Sequence, residues 1–312
     1  MNKILVILGP TSSGKSDITF KLAKKFDGEI ISADSRQVYR GMDIGTGKII
    51  GKLVSNSKQK PSFQFWISQN IPHYMISIVS PRTNYNVAKF KKQSQKIIAD
   101  ILKRKKLPII CGGTGFWIQA IVDDIKFPKV KPDWKLRKKL AKYPVEKLFT
   151  ILKKNDPARA KTIDKKNKVR LIRALEICRS IKKVPPIKNT QYSPINTQYK
   201  FLQLGLKLPK NKLHQNIEKR VLARFKQGMI TEVKKLHQQK LSWKKIQSFG
   251  LAYYWTPIYL QNKLSKVELV EKIIQAEKNY AKRQITWFKR DKRIKWLKNY
   301  KEIEKATKKF LE

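Results

Sequence analysis

Apolar and polar positions along the chain follow two different periods. Ile4–Leu8 is an unbroken apolar run, the mark of a strand buried on both faces, and it leads straight into Gly9-Pro10-Thr11-Ser12-Ser13-Gly14-Lys15-Ser16. Ile18, Leu22 and Phe26 then recur at helical spacing. Glu29–Ser32 predicts a second strand, Met75–Val79 a third, and Leu107–Cys111 a fourth that ends in Gly112-Gly113-Thr114-Gly115. Before the fourth, Val87–Lys105 predicts a long basic helix with Phe90, Ile97, Ile98 and Ile101 on its buried face. Strands alternating with helices across short glycine loops predict an α/β fold with a parallel sheet covered on both faces.

After Phe127-Pro128 the period changes, and residues 129–180 carry helical spacing with no strand signal. The chain divides accordingly: 1–128 as the first part of an α/β core, 129–165 as a helical insertion, and 166–312 as the return to the core with a helical C-terminal part. Lys182–Tyr199, with three prolines and many Asn, Gln and Thr residues, predicts a loop or linker. Phe201–Leu206 predicts one more strand. From Leu213 to the end the pattern is amphipathic helix, with Pro257 its main interruption. The polar, lysine-rich stretch Lys48–Asn70 predicts a surface excursion, and no internal repeat is present.

Composition narrows the classes. The 312 residues are 41% hydrophobic, enough to fold despite 71 Lys and Arg against 22 Asp and Glu, a formal charge of +49. That excess points to a polyanionic partner, because surface cations gain by releasing counterions from phosphates. Two cysteines, Cys111 and Cys178, make neither a disulfide framework nor a four-ligand zinc site, which favours an intracellular chain. The opening apolar run is too brief for a signal peptide and leads into a glycine loop. No stretch reaches the ~18–20 apolar residues that cross a bilayer, so a membrane span is not expected.

The chemistry concentrates at strand ends. Gly9 to Ser16 matches G-x-x-x-x-G-K-[ST] between a strand and a helix, the context that makes the pattern specific. Its glycines let backbone N–H groups turn toward phosphate oxygens, Lys15 adds a point charge, and Ser16 offers a hydroxyl to Mg²⁺. The loop reads as a phosphate or diphosphate site. Asp34, after the second strand, should emerge on the same carboxyl edge, where it could hold Mg²⁺, take a proton, or cap a following helix. Thr114 could bond a ligand or cap the helix after it. His73 reads as a structural loop histidine, and His214 and His237 sit on basic helices without partners. No Ser/His/Asp or Cys/His set and no metal-ligand spacing is recognisable.

These motifs resemble, in order and across nearly the whole chain, the tRNA dimethylallyltransferases (tRNA isopentenyltransferases) of bacterial type. The resemblance is carried by Gly9–Ser16, by Ile31–Tyr39 (ISADSRQVY) with Gly41–Thr46 (GMDIGT), by Pro72-His73, Gly112–Gly115 and Asn155-Asp156-Pro157. Arg170–Glu176 (RLIRALE), Gly228 with Glu232-Val233, and Ala281–Phe288 (AKRQITWF) complete it. It implies a P-loop NTPase-like core and transfer of a five-carbon prenyl group from dimethylallyl diphosphate to N6 of the adenine just 3′ of a tRNA anticodon, position 37. Gly9, Pro10, Thr11, Ser12, Ser13, Gly14, Lys15 and Ser16 would hold the diphosphate, with Mg²⁺ on Ser16. Asp34, Lys15, Arg220 and Thr11 would be catalytic.

The resemblance also implies tRNA contacts at Asp34, Ser35, Arg36, Gln37 and Thr114. Two further stretches correspond to tRNA contacts: Val169, Arg170, Leu171, Ile172 and Arg173, then Lys282, Arg283, Gln284, Ile285, Thr286, Trp287, Phe288 and Lys289. Helical spacing qualifies both stretches. It puts Leu171 and Ile172 in the core with only Arg170 and Arg173 outward, and makes Trp287 and Phe288 core residues rather than base-stacking ones. The chain departs from the family at Asn216, where a second arginine is usual, at Tyr74 in place of a second histidine, and in the length of the 48–70 stretch. Phe249–Tyr254 replaces a common Gly-Tyr motif, and with no cysteine or histidine beyond His237 the zinc-finger tail of eukaryotic members is not expected. A cytoplasmic monomer is the default expectation. The rivals are a P-loop small-molecule or nucleotide kinase, a non-catalytic RNA-binding module, and a prenyltransferase acting on free adenine nucleotides.

Overall fold

The computed structural model describes residues 1–54, 63–186 and 198–312. The middle of the lysine-rich 48–70 stretch (55–62) and most of the expected 182–199 loop (187–197) lie outside the described residues. The chain forms two compact units, one of Met1–Asp124 with Gln191–Glu312 and one of Ile125–Thr190.

In the larger unit the elements run β1 (Asn2–Leu8), α1 (Lys15–Lys25), β2 (Gly28–Ser32), β3 (Lys52–Val54), β4 (Phe65–Ser68), β5 (Ile71–Tyr74), α2 (Val87–Lys103), β6 (Leu107–Gly112) and α3 (Gly115–Val122). The sheet order is completed after the second unit, whose helices are α4 (Trp134–Leu140), α5 (Val145–Asn155), α6 (Pro157–Thr162) and α7 (Lys168–Ile181). Then come β7 (Tyr199–Leu206), α8 (Lys210–Lys226), α9 (Met229–Gln238), α10 (Trp243–Gln247), α11 (Ala252–Leu260), α12 (Lys266–Phe288), β8 (Lys295–Leu297) and α13 (Tyr300–Leu311). The eight described strands form one sheet in the order β3-β4-β5-β2-β6-β1-β7-β8, antiparallel only at β3-β4 and β4-β5.

The alternation along β1 decides both cores. Leu5 and Ile7 face Leu22 of α1 and Ile303 of α13, whereas Ile4, Val6 and Leu8 face Phe90, Ile97 and Trp117 of α2 and α3. All five are fully buried, as a central parallel strand requires. Local signals fix the helix starts: Asn86 accepts the Lys89 N–H at 3.0 Å to begin α2, and Ser265 with Glu268 forms a capping box at the head of α12.

Three expectations need correction. Met75–Val79 is not a strand, since Met75 and Ser77 sit at φ 64° and 53°; the strand is Ile71–Tyr74, and Val79 makes a single parallel bridge to Tyr39. The 48–70 excursion contributes an antiparallel edge, with Phe65 buried. The stretch after Leu213 is not all helix: β8 adds a parallel edge strand against β7, and Pro257 lies inside α11 rather than ending it.

The smaller unit also exceeds its expected span of 129–165. The buried face of α5 (Leu148, Leu152) packs on Leu171, Ala174, Leu175 and Cys178 of α7, so α7 belongs to this unit and not to the core. At its centre Glu176 is 2% exposed; it accepts the Asp133 N–H at 2.6 Å, two bonds from Arg137 at 2.7 Å, and a bond from Arg173. Burial opposes this charge, but the two arginines outweigh it and hold the Glu176 carboxyl down at about 2.

Candidate active site

The β1–α1 loop owes its shape to two left-handed residues, Ser12 at φ 59° and Gly14 at φ 85°. Such positions turn successive N–H groups to one side, making an anion-binding concavity at the start of a helix. Gly9, at φ 155°, leaves no slack, because a Cβ there would stand 3.2 Å from Ser13 Oγ. Lys15 is half-buried and its Nζ donates to Pro10 O at 3.0 Å, so the ammonium lies over the loop. Burial draws its pKa below the ordinary lysine value, and Arg220 adds to that while Cys111 and Asp34 oppose it.

Two helices from the far end of the chain close over this loop. Arg220 of α8 donates to Thr11 Oγ1 at 3.2 Å and to Gly47 O at 3.2 Å. Burial, with Arg224 next, pulls its pKa down to about 10. Gln284 of α12 accepts the Thr11 N–H at 2.8 Å and donates to Gly113 O at 2.9 Å, tying the β1 and β6 loops together. Two turns earlier, Glu277 accepts from Arg224 Nη1 at 2.7 Å and from the Thr11 hydroxyl at 3.5 Å. Asn216 donates to Ser12 O at 3.3 Å, a backbone contact where an arginine would bring charge.

Asp34 stands on the opposite wall. Its Oδ1 accepts the N–H groups of Arg36 (2.8 Å) and Gln37 (3.3 Å), so it does shape a turn, though no helix follows. Among the described residues its Oδ2 takes no hydrogen bond. Thr114 does not cap α3; its Oγ1 accepts the Ser35 N–H at 3.1 Å. Gly112 must be glycine, since a Cβ would lie 2.3 Å from Ala33 O, and this close approach brings the β2 and β6 loops together. Tyr280, raised to about 12 by burial with Asp34 adding, closes this side of the cavity.

Loop, cations and carboxylate open onto one cavity of about 290 Å³ at the carboxyl edge of the sheet. Its walls include Lys15, Ser16, Asp34, Gln37, Arg220 and Arg224, with Phe249–Leu251 at the rim of α11. Leu251 there holds φ 52° directly after Gly250 at 76°, a bend that few side chains tolerate. Among the described residues no group of three His, Cys, Asp or Glu side chains could cage a metal. A divalent ion at Ser16, which is exposed at the head of α1, therefore fits only if phosphate oxygens and water supply most of its ligands, as Mg²⁺ prefers.

His73 proves not to be a loop residue. It sits on β5 opposite Ile30, 5% exposed, and lines the cavity with its Nε2 unpartnered. Burial lowers its pKa from 6.5 to about 4, so the unfolded chain takes up this proton before the folded one. Stability should therefore fall as pH drops from 6.5 through about 4, by up to about 3 kcal/mol. Denaturant titrations at several pH values should show that decline, and His73→Gln should flatten it; an unchanged slope would contradict a buried neutral imidazole.

The remaining expected contacts divide by exposure. On α7, Val169 and Arg170 are exposed, Leu171 is fully buried, Ile172 is half-buried, and Arg173, though expected outward, is tied to Glu176 and Val130 O. On α12, Lys282, Arg283 and Thr286 are exposed, as is Lys289 just after it, Ile285 is half-buried, and Phe288 is core. Trp287 packs on Gly115, where a Cβ would meet its ring at 2.1 Å. Glu277, Tyr280 and Arg224 were missed from the sequence. For Glu277 and Arg224 the signal was a charged residue on an otherwise apolar stripe, Leu269, Ile273, Glu277, Ala281, Gln284 and Phe288 on α12 and Leu213, Ile217, Val221 and Arg224 on α8; Tyr280 lies off that stripe and gave none.

A parallel sheet with this loop at its centre, and a carboxylate facing the loop across one cavity, defines a P-loop NTPase-like enzyme built to act on a phosphate-bearing ligand. Residues 2–59 match the family model Isopentenyl transferase and residues 37–291 the model IPP transferase. The tRNA dimethylallyltransferase of Pelotomaculum thermopropionicum is 40% identical over 95% of this chain and 90% of its own length, and that of Acetivibrio thermocellus is 36% identical over 95% and 92%. Among solved structures, the tRNA isopentenylpyrophosphate transferase of Bacillus halodurans superposes with a TM-score of 0.70 at 30% identity, covering 100% of this chain and 97% of that one. A eukaryotic dimethylallyltransferase acting on tRNA gives 0.75 at 26% identity, covering 96% and 74%. The chain belongs to the IPP transferase family.

Proposed function

We propose that this protein transfers the dimethylallyl group of dimethylallyl diphosphate to N6 of the adenine at tRNA position 37, releasing pyrophosphate. The observation that carries the reading is the shared cavity: a phosphate loop with desolvated Lys15 and Arg220 on one wall, and Asp34 on the other. The new N6–C bond forms as the C–O bond to diphosphate breaks, and the electron pair leaves with the pyrophosphate. Loop amides 12–16, Lys15 and Arg220 meet the charge that develops there, and Thr11, held by Arg220 and Glu277, keeps its hydroxyl in that set. An exocyclic adenine amine is a poor nucleophile, and Asp34 Oδ2 takes its proton. A Mg²⁺ held by Ser16 would add charge neutralisation at the diphosphate when bound.

The adenine must leave its stack to enter the cavity, at a cost of a few kcal/mol. Basic surface offsets this. Residues 125–190 carry 22 Lys and Arg against 5 Asp and Glu, and Lys282, Arg283 and Lys289 add exposed charge on α12. Ser35, Arg36, Gln37 and Thr114 lie beside Asp34 and would meet the target nucleotide; Gln284 and Trp287 act instead by holding the loops, and Phe288 by packing in the core. The reading takes the protein to act as a monomer in the cytoplasm, on tRNA. The relatives support this transferase reading of the loop over a kinase.

Mass spectrometry of tRNA incubated with the protein and dimethylallyl diphosphate tests the reading. A single five-carbon addition at position 37 is expected; ATP-dependent phosphorylation without the prenyl donor would contradict it. The affinity for tRNA should also fall steeply with salt, with a log–log slope on the order of −5. A flat response in filter binding would mean that the lysine excess is only surface composition.

A further inference from the structure

Glu232, on α9, belongs to none of the groups assigned above, yet its carboxylate is fully engaged. Oε2 accepts the N–H groups of Asp43 and Ile44, both at 2.7 Å, and Oε1 accepts the Gly45 N–H at 3.1 Å and the Tyr253 hydroxyl at 2.7 Å. Three successive amides converging on an anion form a nest, here filled by the protein's own side chain, 9% exposed. Such charge-assisted bonds are worth more under burial than on a surface, so the 43–45 turn has little freedom.

The same segment reaches both halves of the site. Gly47 O accepts from Arg220 Nη2 at 3.2 Å and from Gln37 Nε2 at 3.3 Å, and Thr46 O accepts from Gln37 Nε2 at 3.5 Å. The fit is close on every side. A Cβ on Gly47 would stand 2.0 Å from Arg220 Nη2, and one on Gly45 2.6 Å from the Tyr253 ring. Arg220 belongs to the leaving-group wall, and Gln37 follows Asp34 on the acceptor wall. One turn, pinned at one end by Glu232, thus sets the guanidinium on one side and the amide on the other.

We propose that Glu232 is a positioning residue for the transfer reaction, acting through the 43–47 turn to aim Arg220 at the departing diphosphate and Gln37 at the incoming nucleotide. This rests on the prenyl-transfer reading. It differs from a helix staple in one measurable way: a staple's loss adds to that of Arg220, whereas a residue acting through Arg220 loses its effect once Arg220 is gone.

The test is a double-mutant cycle on the full chain with two readouts, calorimetric binding of inorganic pyrophosphate and single-turnover transfer to tRNA. Glu232→Gln, whose amide can satisfy fewer of the converging N–H groups, should weaken pyrophosphate binding about tenfold, the scale of a small misplacement of a binding group. It should lower kcat more than it raises KM for tRNA. In an Arg220→Ala background the further loss of pyrophosphate affinity should shrink to about twofold or less. If Glu232→Gln does not fold, Glu232→Asp, which withdraws the charge by one methylene, carries the same cycle. A full tenfold loss persisting without Arg220, or no loss in either single variant, overturns the proposal. Absence of prenyl transfer by the parent protein would contradict the functional reading alone, because the pyrophosphate cycle is read without it.

Discussion

Asp34→Asn should slow the transfer step by about 10²–10⁴-fold, the usual effect of removing a general base, while tRNA affinity stays nearly intact. The substitution isolates the proton acceptor because of how the carboxylate is held. Oδ1 accepts the Arg36 and Gln37 N–H groups, and the amide oxygen of asparagine can take over both bonds, so the turn survives. What is lost is the basicity of Oδ2. Asp34→Ala, by contrast, should lose the turn as well and displace Ser35, whose N–H is tied to Thr114. Rapid-quench measurements with saturating donor separate chemistry from product release. Activity of Asp34→Asn within a fewfold of the parent would show that the amine proton leaves by another route.

Arg224→Met should destabilise the fold by about 3–5 kcal/mol, because it leaves the buried Glu277 charge without its cation. The pair lies at 2.7 Å with side chains 5% and 3% exposed, and Thr11 supplies Glu277 with only a long hydroxyl bond. Removing both charges together, in Arg224→Met/Glu277→Leu, should recover most of that stability, since replacing a buried pair by apolar volume is often neutral. Activity should not recover with it. Thr11 then loses the carboxylate that accepts its hydroxyl proton beside the phosphate loop. Chemical denaturation checks the first part and transfer assays the second. A stable, fully active double variant would mean that the pair serves folding alone.

How far the sequence carried these conclusions depended on whether a residue announced itself locally. The loop at Gly9–Ser16 and the strand before it were legible because two independent signals, an apolar run and glycine spacing, fell side by side. Asp34 was legible as a strand-end carboxylate, though not the fact that one of its oxygens shapes the turn while the other takes no hydrogen bond among the described residues. The strand β5, Ile-Pro-His-Tyr, looks like a loop, and the apolar Met75–Val79 beside it looks like a strand; only backbone angles separate them. At three residues β8 has no period to detect. The extent of the second unit was hidden because helical spacing is the same on both sides of residue 165; what α7 packs against is a tertiary fact. Glu277 and Gln284 read locally as ordinary mid-helix polar residues, although their place in the Leu269–Phe288 stripe marked them as buried.

In the proposed reaction one cavity sets an anchored diphosphate against a carboxylate that receives the amine proton. The direct measurement is a crystal structure of the full chain with an unreactive thiolo analogue of dimethylallyl diphosphate and an anticodon hairpin. The diphosphate is expected over the amides of residues 12–16, contacted by Lys15 and Arg220, with adenine N6 about 3 Å from Asp34 Oδ2. A diphosphate seated away from that loop, or an adenine whose N6 points away from Asp34, would contradict it.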